Sequence, residues 1–463
     1  MRELEPLYSA AEMRAAEERY PNYPESVPEL MERAGGAVAD AVSRAFPGAR
    51  VVAVCGRGSN GGDGRIAAER LGGRVAEPGE DLPEADVLVD AIFGTGFHGE
   101  PRAEAAAAIE AISGAGRPVV AVDIPSGVDA STGETAGPAV RAALTVTFHG
   151  RKVGVAVAPG RFHAGEVVVA DIGLEPLETE HALVTPEILS LVPRKRPEDN
   201  KYSAGAVLVV GGSRGLTGAP CLAAEAAFRA DAGYVAVAVP ESTLPVFEQL
   251  LLEAVKRPLP EEDGKLSGEA SEAVLELAKR ARAVALGPGL GRSDGTKALV
   301  RRLLEQLKVP VVVDADALFE LEVVERDAPT VLTPHSGELA RLLGEDAAWV
   351  DAHRLEAARR GSERFDAVCL LKGADTLVAA PGEGVLVVGL GPPSLATAGT
   401  GDVLTGIAAA FLAKGLEPRL AAAAAAAAGD VAATLAPQRV GLVASDLIAA
   451  LPRALESVVP ADS

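Results

Sequence analysis

The chain has 463 residues, of which 48% are hydrophobic but only 3% aromatic, and its acidic residues outnumber its basic ones by 65 to 44. The resulting net charge of −21 disfavours binding to phosphate backbones or anionic lipid, so we expect neither nucleic acid nor membrane as a partner. The length exceeds one ordinary core and predicts two or three domains, packed mainly through aliphatic side chains.

The cysteines and the first residues of the chain indicate the cellular compartment. Cys55, Cys221 and Cys369 are far apart and form no disulfide or metal-binding pattern, so we expect them to be buried as small apolar side chains. The first twenty residues are charged and lack the apolar core of a signal peptide. No uninterrupted apolar run is long enough to span a bilayer. These observations favour a cytoplasmic protein.

Strand-like and helix-like stretches alternate along the chain. In the first part, "ARVVAVCG", "ADVLVDAIFG", "RPVVAVDIPSG" and "AALTVTF" are short apolar runs that end in glycine or polar turns, with helix-like stretches such as "GRIAAERL" between them. Continuous apolar runs are typical of strands buried on both faces, and therefore predict a parallel sheet covered by helices. We expect a Rossmann-like, three-layer αβα domain.

The residue pattern changes near residues 184–204, where "VTPEILSLVPRKRPEDNKYSAG" contains prolines and mixed charges without periodicity. This predicts a boundary between a domain of residues 1–196 and a second α/β domain of residues 197–463. The second strand series begins at "AGAVLVVGG", and helices dominate the end of the chain. We interpret the alanine run of residues 421–428 as a buried helix rather than a linker, because alanine favours helices and allows close packing.

Polar residues gather at three strand ends of the first domain. "VVAVCGRGSNGGDG" follows the order of strand, glycine-rich turn and helix, and free amides at such a helix start can bind a diphosphate. Asp90 opens the loop before Gly94, and Asp123 and Ser126 lie in "VAVDIPSGVDA". Each Asp alone would be interpreted as a cap or turn former. Strand ends of a doubly wound sheet converge on one edge, however, so together they predict a ligand site.

"GSNGGDG", "DAIFGTGFHGE", "VDIPSGVDA" and "GEVVVADIG" closely resemble the NAD(P)HX epimerase family over about residues 8–175. The resemblance implies that hydrated NADH or NADPH contacts Asp123 and two loops, formed by Ser59, Asn60, Gly61, Gly62 and Asp63 and by Gly94, Thr95, Gly96, Phe97, His98, Gly99 and Glu100. It also implies a potassium ion held by Asn60, Asp90 and Ser126, and makes Asp123 a candidate for moving the proton. The family usually has a second Asn where this chain has Ser59. We expect the serine to weaken binding without abolishing it.

In the second domain, "ATAGTGDVLTG" places Asp402 where a loop becomes a helix. A helix N-terminus stabilises an anion, so we expect this carboxylate to be ionised at neutral pH and able to accept a proton from a hydroxyl. Nearby free amides would stabilise the phosphate that the oxygen attacks. An N-cap role is the alternative for the motif alone.

"GTGD" resembles the ribokinase-like superfamily, in which this Asp is the catalytic base. With "GGSRGLTGAP", "GPGLG", "DADAL", "TPHSGE" and "KGADT", it resembles the ADP- or ATP-dependent NAD(P)HX dehydratase over most of residues 200–450. The resemblance implies that Ala219, Gly289, His335 and Asp402 contact the hydrated coenzyme and that Lys372, Gly373, Ala374, Asp375, Thr376 and Gly401 contact a magnesium-bound ADP or ATP. Ser336 replaces a usual Pro, and Asp231 a usual Gly; we expect the second to be a surface change.

Together the resemblances imply a bifunctional enzyme, with homo-oligomers usual in the family. The first domain would interconvert the R and S hydrates, and the second would dehydrate the S form through a phosphorylated intermediate. His335 stands where ribokinase-like kinases have an Asn, and a structural histidine or a ligand contact both remain open. The alternatives are a vitamin-precursor kinase, and a first domain that only binds a nucleotide and regulates the second.

Overall fold

The computed structural model describes residues 3–458. The chain forms two compact units. The N-terminal unit comprises residues 6–182 with residues 351–354, and the C-terminal unit comprises the remaining described residues.

In the first part of the chain, strands and helices alternate as the apolar runs predict. The strands are β1 (Leu4–Tyr8), β2 (Val51–Cys55), β3 (Arg74–Ala76), β4 (Val87–Ala91), β5 (Val119–Val122), β6 (Leu144–Phe148), β7 (Arg151–Lys152) and β8 (Glu166–Ala170). The helices are α1 (Ala10–Glu18), α2 (Val27–Ala45), α3 (Ser59–Leu71), α4 (Ala103–Gly114), α5 (Val153–Ala156) and α6 (Arg161–Ala164).

The N-terminal unit is built on a six-stranded sheet in the order β3-β2-β4-β5-β6-β8, and every pair in it is parallel. Helices α2 and α3 cover one face of the sheet, and α4 covers the other. Strands β2, β4, β5 and β6 are buried along their whole length. The carboxyl ends of β2, β4 and β5 therefore bring the polar loops of the sequence to one edge.

The second part of the chain repeats the alternation on a larger scale. Its strands are β9 (His181–Val184), β10 (Ala206–Val210), β11 (Tyr234–Pro240), β12 (Val255–Leu259), β13 (Glu261–Glu262), β14 (Lys265–Leu266), β15 (Ala283–Leu286), β16 (Val311–Val313), β17 (Thr330–Leu332), β18 (Val368–Leu371), β19 (Thr376–Ala379) and β20 (Leu386–Val388). Its helices are α7 (Gly218–Arg229), α8 (Leu244–Leu250), α9 (Ser271–Ala278), α10 (Asp294–Gln306), α11 (Ser336–Leu343), α12 (Ala347–Ala352), α13 (Arg354–Phe365), α14 (Thr400–Ala413), α15 (Pro418–Leu435) and α16 (Ala444–Glu456).

The C-terminal unit contains strands in the order β12-β11-β10-β15-β16-β17-β18-β19-β20. Pairs from β12 to β18 are parallel, whereas β18, β19 and β20 are antiparallel neighbours. The apolar runs alone predict a parallel sheet. The difference arises because β19 begins five residues after β18 ends, too soon for the crossover that a parallel neighbour requires.

Helices α9 and α10 pack on one face of this sheet, and α7, α14, α15 and α16 pack against one another. The alanine run of residues 421–428 is buried within α15, which confirms its interpretation as a buried helix. All three cysteines are free and buried, as expected. Within residues 3–458, no helix combines the length and apolarity needed to cross a membrane.

Candidate functional site

A cavity of about 790 Å³ opens at the carboxyl ends of β2, β4 and β5 in the N-terminal unit. Ten of the residues that the sequence assigns to coenzyme binding line it: Ser59, Asn60, Asp63, Gly94, Thr95, Gly96, Phe97, His98, Glu100 and Asp123. The stacked rings of Phe93 and Phe97, with centroids 4.6 Å apart, form part of its wall. Arg14, Glu17 and Arg57 also line it, although no sequence motif singled them out.

Gly61, Gly62 and Gly99 are not among the lining residues. A Cβ on Gly61 would lie 1.9 Å from the carbonyl oxygen of Gly56, and one on Gly62 would lie 1.8 Å from the Met31 side chain. These two glycines allow α3 to pack closely behind the loop. Gly99 has a positive φ of 73° and forms a turn.

Asp123 is the most constrained carboxylate of this cavity. It has a φ of 67°, a left-handed conformation that aspartate adopts rarely. Its Oδ1 lies 2.6 Å from Nζ of Lys152, whose side chain is fully buried. The same oxygen accepts a hydrogen bond of 3.1 Å from the Thr147 hydroxyl, and Lys152 also donates to Thr147 and to the Phe148 carbonyl. This ion pair holds Asp123 at a fixed position against the cavity.

Asp63, in the same cavity, differs from Asp123 in having a side-chain oxygen without a hydrogen-bond partner among the described residues. This oxygen is Oδ1, and the residue is only 7% exposed. Burial, together with repulsion from Asp123 and Glu17, raises the pKa of Asp63 to about 8. Burial and Asp123 also raise the pKa of Glu17. The cavity thus contains both an ion-paired carboxylate and a carboxyl group that is protonated at neutral pH.

The three residues assigned to potassium converge around the carbonyl oxygen of Phe93. Asn60 donates to this oxygen at 2.8 Å, and the Ser126 hydroxyl lies 3.4 Å from it. Ser126 also donates to Asp90 through its hydroxyl (2.6 Å) and its backbone amide (2.8 Å). Asp90 is fully buried, and this burial raises its pKa to about 6 despite the hydrogen bonds from Ser126, which lower it. The result is a compact group of oxygen atoms at the ends of β4 and β5.

In the C-terminal unit, Asp402 is the third residue of α14, whose N-cap is Gly399. Burial is the largest influence on Asp402, and repulsion by Asp314 adds to it; attraction to Lys372 only partly offsets them, so the pKa is raised to about 7. Asp402 is therefore only partly ionised at neutral pH, contrary to the expectation that the helix N-terminus keeps it ionised. Loss of hydration and a neighbouring carboxylate outweigh the favourable helix end.

Asp314 is the centre of the polar network around Asp402. It follows β16 and is 1% exposed. Its carboxylate accepts hydrogen bonds from the Thr333 hydroxyl at 2.8 Å, the Thr405 hydroxyl at 2.7 Å and Nζ of Lys372 at 2.9 Å. Burial alone would lower the pKa of Lys372, but attraction to Asp314 and Glu338 raises it overall.

His335 is the N-cap of α11. Its Nδ1 accepts hydrogen bonds from the amides of Gly337 and Glu338 at 3.0 and 3.3 Å, and its own amide donates to the Glu338 carboxylate at 2.9 Å. The side chain is nevertheless 56% exposed, and its Nε2 lies 3.6 Å from the Glu338 carboxylate. His335 therefore has a structural role, and the same bonds fix the orientation of its exposed edge.

The remaining sequence-assigned residues of this unit lie at neighbouring strand ends. Gly289 has a φ of 58°, and a Cβ on it would lie 3.3 Å from Cβ of Ala219, so these two positions adjoin. Gly401 adjoins Lys372, because a Cβ on Gly401 would lie 3.4 Å from Nζ. The assigned residues Gly373, Ala374 and Asp375 form the β18–β19 turn, and Thr376 begins β19.

Asp231 is not the simple surface change that we expect from the sequence. It has a φ of 71°, which explains why glycine suits this position. Its carboxylate lies 2.8 Å from Nζ of Lys414, which is 3% exposed, and 2.7 Å from Nζ of Lys195. Asp231 thus provides the counter-charge of a buried lysine.

Asp314, Lys152 and Glu17 are among the residues of these sites that carry no role in the sequence interpretation. Asp314 lies in the "DADAL" motif, so its pattern was visible although its partners were not. Lys152 and Glu17 gave no signal, because neither belongs to a recognisable motif. In residues 3–458, no group of three or more His, Cys, Asp or Glu side chains is arranged to hold a metal ion.

Two α/β units, each with carboxylates at the carboxyl ends of its strands, define a two-domain α/β enzyme. The family model described as NAD(P)H-hydrate dehydratase matches residues 207–453. The model described as the YjeF-related protein N-terminus matches residues 27–78 and 67–154.

Curated relatives match nearly the whole chain. The bifunctional NAD(P)H-hydrate repair enzyme Nnr of Moorella thermoacetica is 41% identical, with 93% of this chain and 92% of that protein covered. The enzyme of the same name from Salinibacter ruber is 37% identical, with 97% and 96% covered. The chain belongs to the family of bifunctional NAD(P)H-hydrate repair enzymes.

Solved structures match the C-terminal part. The ADP/ATP-dependent NAD(P)H-hydrate dehydratase of Bacillus subtilis, co-crystallised with ATP and Mg²⁺, is 28% identical with a TM-score of 0.53, covering 59% of this chain and 98% of that one. A ribokinase-like superfamily protein of Enterococcus faecalis, at 22% identity and a TM-score of 0.52, covers 62% of this chain and 99% of that one, and shows the shared fold. The predicted fold class, with a ribokinase-like second domain, is confirmed.

Proposed function

We propose that the two units perform the two steps of one repair, each at its own strand ends. The N-terminal unit interconverts the R and S forms of hydrated NADH and NADPH. The C-terminal unit dehydrates the S form at the expense of ADP or ATP and releases the intact coenzyme. The observation that carries this proposal is that Asp402 lies beside the Lys372–Asp314 pair at the start of α14, in a chain whose relatives are named for this repair.

Dehydration needs a better leaving group than hydroxide. The hydrate carries its hydroxyl on the carbon next to the ring nitrogen, and phosphorylation converts this oxygen into a phosphate that departs as the nitrogen donates its electrons. Asp402, with a pKa near 7, accepts the hydroxyl proton while the oxygen attacks the terminal phosphate of the nucleotide. The amide of Gly401, at the start of α14, stabilises the charge on that phosphate.

Lys372 lies in the same polar network as Asp402 and adjoins Gly401. We assign Lys372, Gly373, Ala374, Asp375, Thr376 and Gly401 to the adenine nucleotide, which brings its own magnesium. Ala219, Gly289 and His335 are assigned to the hydrated coenzyme. The ATP and Mg²⁺ in the related Bacillus subtilis crystal support the nucleotide assignment.

Epimerisation changes the configuration of the same hydroxyl-bearing carbon, and it requires proton transfer at the groups bonded to that carbon. Asp123 is our candidate for this transfer, because it lines the cavity and is fixed by Lys152 and Thr147. The loops of residues 59–63 and 94–100 are proposed to hold the remainder of the coenzyme. The cavity of about 790 Å³ is within the usual range for ligand pockets.

We further propose that the oxygen group around Phe93 binds potassium. The Asp90 carboxylate, the Ser126 hydroxyl and the Phe93 carbonyl supply hard oxygen donors that such a cation prefers, and the Asn60 amide lies against the same carbonyl through its nitrogen. The donor set therefore fits the ion. When bound, potassium would supply positive charge and hold the loop after β4 against the loop after β5.

One assay tests the repair. An equal mixture of R and S hydrated NADH is supplied with the full chain, Mg²⁺, K⁺ and either ADP or ATP, and recovery of NADH is followed by its absorbance. We expect complete recovery. Rapid recovery of only half would mean that the N-terminal unit does not epimerise, as in the regulatory alternative. No recovery with either nucleotide would contradict the proposal. In a parallel incubation with a vitamin precursor, formation of its phosphate would point to the kinase. Cytoplasmic location and homo-oligomerisation remain predictions.

A further inference from the structure

Asp63 is a buried side chain of the N-terminal cavity to which the preceding proposals assign no chemical step. It is the fifth residue of α3, beyond the first turn, so it is not a helix cap. It is only 7% exposed, and its Oδ1 lacks a hydrogen-bond partner among the residues that the structure describes. A buried carboxyl without such a partner is costly to the fold, and a structural role does not explain it.

The surroundings of Asp63 differ sharply from those of Asp123, which lines the same cavity. Asp123 receives hydrogen bonds and lies in contact with the Lys152 ammonium. Burial is the largest influence on Asp63, and the charged groups that act on it, Asp123 and Glu17, are both negative, so its pKa is raised to about 8. When the environments of two carboxyl groups in one site differ in this way, one can serve as the acid and the other as the base.

We propose that Asp63 is the proton donor of the epimerase reaction and Asp123 its proton acceptor. This inference rests on the proposed epimerase function and deepens it by assigning the acid. The two carboxyl groups line one cavity, next to the loop assigned to the coenzyme. A protonated Asp63 donates without needing a buried counter-ion, whereas Asp123 lies 2.6 Å from the Lys152 ammonium.

The reaction follows from the chemistry of the hydrate, whose hydroxyl-bearing carbon also carries the ring nitrogen. Asp123 removes the hydroxyl proton, and the electrons form a carbonyl as the carbon–nitrogen bond breaks. The nitrogen takes that bonding pair and receives the proton of Asp63. The carbonyl group then rotates so that its opposite face is directed at the nitrogen. The nitrogen attacks this face and returns its proton to Asp63, while the oxygen regains a proton from Asp123. Every atom and electron is recovered, and no co-reactant is needed.

This path also explains why epimerisation does not itself dehydrate the coenzyme. Protonation of the hydroxyl would expel water, whereas protonation of the nitrogen opens the ring and retains the oxygen. Asp63 must therefore donate its proton to the ring nitrogen. The cost of its burial keeps the proton on Asp63 until the leaving nitrogen becomes basic enough to accept it.

The test is an Asp63→Asn variant of the full chain, assayed for exchange between purified S and R hydrates by chromatography. The amide keeps the shape of the side chain but cannot transfer a proton. We expect kcat for exchange to fall about 100-fold or more while KM changes little. Nucleotide-dependent dehydration of the S hydrate by the same sample checks the C-terminal unit, and an unchanged KM for exchange checks the fold of the N-terminal cavity.

The pH profile of epimer exchange distinguishes proton donation by Asp63 from a purely structural role, because a structural role would not make the rate depend on the protonation of Asp63. In the parent chain, exchange should decline as pH rises through about 8, because Asp63 loses its proton. The residual activity of Asp63→Asn should lack this decline. Glu17→Gln, an amide at another carboxyl of the cavity, should move the decline to lower pH, because one repelling charge is removed. Asp171→Asn, at an exposed position outside the cavity lining, is the matched control and should keep the rate and the pH profile of the parent.

A loss of less than about 10-fold in Asp63→Asn, against the usual contribution of a general acid, would overturn the inference, as would a parent profile without the alkaline decline. If Asp63→Asn does not fold, the Glu17→Gln variant decides. If its alkaline decline does not shift, or shifts to higher pH, the inference about Asp63 is overturned. A parent chain that exchanges no epimers would instead contradict the proposed epimerase function itself, so the two failures are distinguishable.

Discussion

Nζ of Lys372 lies 2.9 Å from Oδ1 of Asp314, and Thr333 and Thr405 donate to the same carboxylate. The two residues are 58 positions apart in sequence, and this ion pair joins the end of β16 to the end of β18. Because both side chains are largely removed from water, breaking the pair leaves an uncompensated charge beside Asp402.

We therefore predict that Asp314→Asn lowers nucleotide-dependent dehydration by about 100-fold, because Lys372 loses the partner that positions it for the nucleotide. Initial rates of NADH formation from the S hydrate measure this loss. Asp327→Asn, the same change at an exposed position of the C-terminal unit, should leave the rate near that of the parent. Equal rates for both variants would contradict the role given to Asp314.

Dehydration should depend on the ionisation of Asp402. The base acts when deprotonated, and its pKa is raised to about 7. We expect kcat/KM for the S hydrate to rise with pH up to about 7 and to level off above it. A flat profile through this range would show that another group accepts the proton.

Removing the carboxylate tests the same residue directly. Asp402→Asn should reduce dehydration by about 100-fold or more and leave epimer exchange intact. Asp446 is the matched control, because it occupies the equivalent third position of α16, where it accepts a hydrogen bond from the amide of Val443. Asp446→Asn should affect only the stability of that helix.

In the N-terminal unit, Asp123→Asn should abolish epimer exchange and leave dehydration of the S hydrate unchanged. The amide cannot accept the hydroxyl proton, and Lys152 loses its charged partner. Exchange of purified epimers measures the first outcome, and NADH formation the second. Asp171→Asn, at an exposed turn where the side chain binds the amide of Gly173, serves as control.

Potassium removal should affect one activity only. Replacing K⁺ by tetramethylammonium, which is too large for a site built around one carbonyl, should slow epimer exchange and spare dehydration. Ser126→Ala should weaken the dependence of exchange on K⁺, because it removes one proposed ligand and one donor to Asp90. Exchange that proceeds equally well without K⁺ would contradict the potassium proposal.

Asp231 permits a prediction about stability. Asp231→Gly relieves the left-handed backbone conformation but leaves the buried Lys414 without this counter-charge. The second effect is the larger, so we expect a net loss of about 1–3 kcal/mol in the free energy of unfolding. Urea unfolding of the C-terminal unit, followed by fluorescence of the single Trp349, measures it. A more stable variant would show that Lys414 does not need Asp231.

Local pattern predicted much of this molecule. The apolar runs gave β2, β4, β5 and β6, and the buried alanine helix was correctly distinguished from a linker. Residues at separate strand ends, such as Asn60, Asp90 and Ser126, could be expected to meet because parallel strands share one edge.

What the sequence could not predict depends on contacts between distant residues. The charge of Asp402 depends on Asp314 and on burial, neither of which its own helix reveals. Lys152 became visible only as the partner of Asp123. The antiparallel position of β19 and the lysine partners of Asp231 likewise arise from packing rather than from residue pattern.

The alanines of α15 are buried along the whole run of residues 421–428. A helix enclosed on all sides there can expose its amides only when its neighbours separate, so these hydrogens should exchange with deuterium at the slowest rates in the C-terminal unit. Its methyl groups also leave no space for larger side chains, so valine or leucine anywhere in this run would force the surrounding helices apart.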